Sequence, residues 1–255
     1  VPEGDSLRRA AARLDAALVG APLVRAELRW PTAATVDLVG RSVLGTRPYG
    51  KHLLTRLDDG RTLHTHLRMD GTWRVARTGS SGARAGSPDV RAVLATPTWT
   101  AIGLKLGMLD VVPTPAEHTL IGHLGPDILD DPVDAAEALR RWALAGSTPV
   151  AEVLLDQRVV AGIGTIYAAE SLFAERLWPW TPAHAVPDPA RLLGVARRLM
   201  QRSVAAGPRP SNVHGRARRP CPRCGTPIAV GQARRPPQER PIFYCPRCQR
   251  PPGDA

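Results

Sequence analysis

Apolar positions along the chain follow two unlike patterns. Over the first ~112 residues, short runs such as Thr35–Val39, His52–Leu57 and Val90–Ala95 are separated by turn signals, Asp58-Asp59-Gly60 among them, which predicts strands. One stretch departs from this: Leu7, Leu14 and Leu18 recur at helical spacing between Ser6 and Leu18, so a helix opens the chain. Residues 77–89 (RTGSSGARAGSPD) have the composition of a mobile loop between strands, and Pro113 and Pro115 mark a linker. From about 116 to 206 the period turns helical. Asp134–Leu144 sets Ala135, Leu139 and Trp142 on one side. Thr148-Pro149 reads as an N-cap followed by proline at the first helical position, opening a helix from Val150 to about Asp156. Further helices are predicted over Thr165–Leu177 and Arg191–Ser203, after which Pro208 and Pro210 break into a segment rich in Pro, Arg and Cys. The order is a β domain (1–112), a helical domain (113–206) and a small metal module (207–255).

Composition adds the partner class. The chain has 255 residues, 43% of them hydrophobic, enough for two cores. Its net charge is +11, and residues 207–255 carry ten arginines against Glu239 and Asp254. Charge so placed predicts a polyanionic partner. No basic-then-apolar opening and no run of membrane-spanning length is present, so a soluble intracellular protein with no membrane partner is expected.

All four cysteines lie in Cys221-x2-Cys224 and Cys245-x2-Cys248, twenty residues apart. Two such pairs predict one structural, tetrahedral Zn2+ with no open coordination position, and a module with almost no apolar core that folds chiefly on its metal. Phe243 and Tyr244 are expected to pack against it. Arg240 precedes the second pair on a strand; a bidentate phosphate grip and a solvated side chain are equally open readings. Gly162-Ile163-Gly164-Thr165 directly precedes a helix and reads either as a backbone cradle for phosphate or as a tight interhelical crossing. Lys51, after Tyr49-Gly50, projects from a turn towards a phosphate or simply towards water. His64 and His66 alternate and so face one side of a strand. Met69, beside the Asp70-Gly71 turn, is either core filler or a wedge between bases.

Pro2-Glu3-Gly4 adds chemistry if Val1 marks an alternative initiation codon whose residue is trimmed. Pro2 would then be a free secondary amine, and with an α-amine pKa near 8 about a tenth of it is unprotonated at neutral pH. Such an amine attacks sugar or aldehyde carbons through an iminium.

In order along the chain, Pro2-Glu3-Gly4, Gly50-Lys51-His52-Leu53, His66-Leu67-Arg68-Met69-Asp70-Gly71, Leu124-Gly125-Pro126, Leu154-Leu155-Asp156-Gln157, Gly162–Glu170, and Arg240 with Tyr244–Gln249 resemble the formamidopyrimidine-DNA glycosylase/endonuclease VIII family over essentially the full length. The resemblance implies an α+β multidomain fold: a β-sandwich with an N-terminal helix, a helix-two-turn-helix domain and a C-terminal β-hairpin zinc finger. It implies a bifunctional DNA glycosylase and AP lyase, a monomer acting on damaged DNA in the bacterial cytoplasm and nucleoid. Pro2 would be the nucleophile and Glu3 the general acid. Lys51, Thr165 and Arg240 would hold phosphates (Lys51 and Arg240 within the catalytic set), and His66 and Glu170 would support DNA binding. Met69 would fill the gap left by the extruded base.

Three departures bear on that expectation. Thr165 stands where the family usually has Asn, and Ser6 where it usually has a second glutamate. An arginine–aromatic wedge of the purine-directed branch is missing, with Ala101-Ile102-Gly103-Leu104 in the comparable stretch. The endonuclease VIII branch and oxidised pyrimidines are therefore favoured, and the Asp5 opening resembles actinobacterial members. Oxidised purines as substrate, a non-catalytic damage binder if Val1 stays attached, and a zinc-ribbon module on an unrelated domain are the competing readings.

Overall fold

The computed structural model describes residues 2–234 and 238–251, which gather into two compact units, Val1–His123 and Leu124–Ala255. In the first, helix α1 (Gly4–Leu18) precedes strands β1 (Arg25–Leu28), β2 (Val43–Tyr49), β3 (His52–Leu57), β4 (Arg61–His66), β5 (Thr72–Arg77), β6 (Val90–Ala95), β7 (Trp99–Leu104) and β8 (Met108–Pro113), then a single turn, α2 (His118–Ile121). Antiparallel pairing makes two four-stranded sheets, ordered β1-β6-β7-β5 and β2-β3-β4-β8, and these form the expected β-sandwich. Leu53, Leu63 and Leu109 of one sheet and Ala92, Leu94 and Ala101 of the other share a buried cluster with Leu7, Leu14 and Leu18 of α1. Each fully buried leucine there contributes about 1.5–3 kcal/mol.

Two expectations for this unit are corrected and one gains detail. Thr35–Val39 is not a strand but turn and coil. The Asp37 carboxylate accepts the Val39 N–H at 2.8 Å, an Asx-type turn that takes backbone a ladder would need, while Leu38 still fills the core. Residues 77–89 do join two strands, β5 and β6; they hold a 3-10 turn at Ser81–Ala83, and Arg29 donates to the Ala85 carbonyl at 2.9 Å. The proline linker is instead the end of β8 and a 3-10 turn, Thr114–Ala116. Glu117 fastens it to the sheet, accepting two hydrogen bonds from Arg56 (2.9 and 2.7 Å) and one from Thr62 (2.7 Å). The first unit therefore runs to His123 and not to residue 112.

The second unit contains α3 (Ala135–Ala143), α4 (Val150–Leu155), α5 (Thr165–Ala174), α6 (Pro189–Ala206) and the hairpin β9 (Ala229–Gln232) and β10 (Pro241–Tyr244). Val150, Leu154, Tyr167, Leu172, Leu192 and Met200 lie in its core, and the same cluster takes in Val213, Cys221, Ile228, Ile242 and Cys245. The cysteine module thus does not stand apart with little core, as expected; its hairpin is sealed by the helices. Arg223 donates to the Ala174 carbonyl at 3.2 Å and lies over the Phe173 ring at 4.1 Å, and Gln249 donates to the Leu177 carbonyl at 2.9 Å. Two helix starts also shift. Pro149, with ψ 136°, is itself the N-cap of α4, so Thr148 lies one residue outside. Helix α6 begins before Arg191 because Asp188 caps the Arg191 N–H at 2.8 Å and Pro189 takes the first turn. Among the described residues, no helix is long and apolar enough to cross a membrane.

Candidate active site and nucleic-acid interface

Pro2 is half-buried and immediately precedes Glu3, the N-cap of α1. Glu3 is fully buried; its carboxylate accepts the Ser6 N–H, and the Ser6 hydroxyl accepts the Glu3 N–H at 3.0 Å while donating to the Glu3 carbonyl at 2.8 Å. This reciprocal capping box fixes the residue next to Pro2. Ser6, standing where the family usually has a second glutamate, bonds the Glu3 backbone through its hydroxyl. Asp5, fully buried, pairs with Arg9 one turn on at 2.8 Å.

In the β2-β3-β4-β8 sheet, Gly50 adopts φ +56° in the β2–β3 turn, a conformation glycine takes without strain, and Lys51 follows it half-buried. Antiparallel register sets His52 opposite His66 and His64 opposite Asp110. The His52 and His66 rings meet edge-on at 4.7 Å, and His66 Nδ1 accepts the Arg68 N–H at 2.9 Å. Burial first, then His64, Lys51 and Arg68, pull the His66 pKa down to about 4, so the ring is neutral at pH 7. Met69 is 55% exposed in the β4–β5 turn, beside Arg68 at φ +49°, which disposes of the core-filler reading. Ala101–Leu104 lies inside β7, paired to β5 and β6, and only three residues, 105–107, join β7 to β8. A connection that short leaves no length for a wedge.

In the second unit, the Gly162–Thr165 turn is held from within. Gln157 donates to the Ile163 carbonyl at 2.9 Å and accepts the Gly162 N–H at 2.9 Å. Gly162, at φ +106°, has Ile128 and Asp127 at the distance a Cβ would crowd, and Gly125 donates to the Gln157 carbonyl at 2.8 Å. The turn is thus closely packed against the 127–128 segment, and it presents Gly164 as N-cap and Thr165, half-buried, as the first residue of α5. Arg240 is exposed at the entry to β10.

Glu170, expected to support DNA binding, is engaged within the second unit. It is 1% exposed, and its carboxylate accepts the N–H groups of Asn212, Val213 and His214, each at 2.9 Å, and the Asn212 side-chain amide at 2.8 Å. A buried carboxylate that accepts from four donors organises the 212–214 loop. Sequence reasoning missed Asn212 and His214, whose partner lies 42–44 residues away. His214 packs edge-on against Phe243 at 4.9 Å, and burial foremost holds its pKa below the ordinary histidine value.

The four cysteine sulfurs lie within 4.8 Å of one another, with Cys224 3.5 Å from both Cys245 and Cys248 and Cys221 3.9 Å from Cys248. A tetrahedron of metal–sulfur bonds near 2.3 Å has an edge of about 3.8 Å, so the cluster fits a single structural metal ion. Without an ion, burial and the neighbouring sulfurs push Cys248 up to about 12, the cost of crowding four thiols that a cation offsets. Gln249, fully buried, steadies the second knuckle by accepting the Cys245 N–H at 2.9 Å.

Comparison with known proteins agrees with this arrangement. Residues 1–105 match the formamidopyrimidine-DNA glycosylase N-terminal domain and residues 124–213 the formamidopyrimidine-DNA glycosylase H2TH domain. The chain is 41% identical to a probable endonuclease 8 2 of Streptomyces coelicolor, covering 98% of this chain and 94% of that one. It is 36% identical to the DNA-(apurinic or apyrimidinic site) lyase Nei2 of Mycolicibacterium smegmatis over 98% and 99% of the two chains. Among solved structures, Lactococcus lactis Fpg (MutM) in complex with N7-benzyl-Fapy-dG DNA matches with a TM-score of 0.82 at 22% identity, over 98% of this chain and 100% of that one. A sandwich carrying Pro2-Glu3, joined in one chain to a helix-two-turn-helix unit with a four-cysteine hairpin, defines a DNA glycosylase and AP lyase. The chain belongs to the formamidopyrimidine-DNA glycosylase/endonuclease VIII family.

Proposed function

We propose that Pro2 is the nucleophile of a base-excision enzyme that removes oxidised pyrimidines and then cuts the strand. The capping box that holds Glu3 beside Pro2 carries this reading. The Pro2 nitrogen forms a bond to the sugar C1′ as the bond from C1′ to the base breaks, with Glu3 protonating the opening ring oxygen. The resulting iminium acidifies the C2′ hydrogen; loss of that proton expels the 3′ phosphate, and a second elimination expels the 5′ phosphate. By the family resemblance, Lys51, Thr165 and Arg240 hold phosphates and His66 supports the strand contacts. Exposed Met69 enters the stack where the damaged base leaves, offsetting the few kcal/mol of unstacking. The ion at the four cysteines is Zn2+; with four thiolates it has no open position for a substrate, so its role is structural. The protein works as a monomer on DNA in the cytoplasm.

Borohydride reduction on an abasic oligonucleotide tests the nucleophile. A covalent complex is expected with protein whose N-terminal residue is Pro2, and none when Pro2 is acylated; a persisting adduct moves the nucleophile elsewhere, Lys51 first. Excision from duplexes carrying thymine glycol, dihydrouracil and 8-oxoguanine sets the substrate class, and preference for 8-oxoguanine reverses the pyrimidine assignment.

A further inference from the structure

One chain of titratable groups is left unused by the mechanism above. The Asp110 carboxylate oxygen Oδ2 lies 3.1 Å from His64 Nδ1, and His64 Nε2 lies 2.8 Å from His52 Nδ1. The His52 and His64 rings stack at 5.1 Å and 18°. Strand register puts the three on one face: Asp110 stands opposite His64, and His52 is two residues along from His64's partner, Leu54. One end of the string is the Asp110 side chain, 34% exposed; its middle, His64, has no exposure; its other end follows Lys51 and abuts His66.

The protonation pattern follows from the partners. An ionised carboxylate only accepts, so His64 carries its proton on Nδ1. A neutral His64 then offers Nε2 as acceptor, so His52 carries its proton on Nδ1 and its lone pair on Nε2. His66, whose Nδ1 accepts from Arg68, carries its proton on Nε2. Burial keeps all three rings neutral at pH 7. Asp110 is the anion acting on His64, while Lys51 and His123 act with the opposite sign on His52, and Lys51 and Arg68 on His66.

We infer that Asp110, His64 and His52 form a proton relay that connects the Lys51–His66 edge of the sheet to solvent. A proton arriving on His52 Nε2 displaces the one on His52 Nδ1 to His64 Nε2, and His64 releases its Nδ1 proton to Asp110, which passes it to water. Both imidazoles end neutral in the opposite tautomer and the carboxylate ends neutral, so no buried imidazolium is formed. This inference rests on the proposed lyase chemistry, in which the C2′ hydrogen is the proton to be exported while DNA covers the site. Asp110 and His64 touch no substrate and are positioning residues.

The test uses full-length, zinc-loaded protein with His64→Phe, which keeps the buried ring but no nitrogen, and Asp110→Asn, which can still accept from His64 but cannot take up a proton. Single-turnover elimination on abasic DNA should slow at least about tenfold in both, with the dissociation constant for that DNA unchanged within about threefold. Imidazole 15N spectra of the wild type should show protons on Nδ1 of His52 and His64 and on Nε2 of His66. Unchanged rates, slowing in His64→Phe alone, parallel loss of rate, affinity and melting temperature, or a His52 proton on Nε2 would each overturn the relay. A wild type that neither cleaves nor is trapped by borohydride sinks the lyase reading instead, and the nitrogen spectra still report on the string.

Discussion

Replacing Glu170 separates a loop organiser from a DNA contact. In Glu170→Ala the Val213 N–H, fully buried, loses its only acceptor among the hydrogen bonds described above, which costs about 1–3 kcal/mol. Asn212 is exposed and His214 half-buried, so their N–H groups regain water, but each gives up a charge-assisted bond. The total comes to about 3 kcal/mol, an increase on the order of a hundredfold in amide exchange at 212–214. Glu170→Gln keeps the shape and one oxygen for the three backbone N–H groups; it loses the charge and the acceptor of the Asn212 side-chain amide, and should cost about half as much. Hydrogen exchange at these amides measures the effect, and binding to abasic DNA across a salt series assigns it. Affinity should fall with the salt slope unchanged, because no phosphate contact is removed. Exchange faster by less than about fivefold in Glu170→Ala, or tighter DNA binding once the negative charge is gone, would refute the argument.

Two further outcomes are expected. Acid should weaken the β-sandwich earlier than its carboxylates require. His52 is held down to about 3 and His66 to about 4, so the unfolded chain, with histidines near 6.5, binds more protons below that value. Stability present above pH 6.5 is then lost as pH falls towards 4, by about 2 kcal/mol per ring at pH 5, and thermal unfolding of the first unit that stays flat from pH 7 to 5 would contradict this. Chelation, or Cys245→Ser, should lower the stability of the whole second unit, since Ile228, Ile242 and Cys245 share a core with α4, α5 and α6. Full exchange protection retained in those helices while residues 219–250 open would show that the hairpin is independent after all.

What the sequence disclosed depended on how local each interaction is. The CxxC pairs, the α1 stripe of Leu7, Leu14 and Leu18, and Gly162-x-Gly164 before a helix are short-range patterns, and the structure has each where the pattern puts it. Alternation of His64 and His66 correctly put them on one side of β4. It said nothing of His52 or Asp110, because strand register is set by pairing across twelve and forty-six residues. Glu170 was visible as a motif carboxylate but not as a loop anchor, for the same reason. Thr35–Val39 failed differently: the apolar content was read, and the competing Asp37 turn was not.

The departures from the family pattern are also local, and their positions explain why the fold tolerates them. Ser6 falls at the third residue of α1, where a hydroxyl can accept the N-cap N–H as well as a longer carboxylate does, at 3.0 Å. Thr165 falls at the first residue of α5, whose N-cap is the Gly164 backbone and whose preceding turn is held by the Gln157 side chain. A shorter side chain at 165 therefore costs the helix start nothing; it changes only what extends from it. Backbone geometry survives both exchanges, at 6 through the serine's own capping bond and at 165 through Gln157. The wedge is a different case, since the three-residue β7–β8 connection removes chain length itself, and no exchange of side chains at 105–107 could restore it.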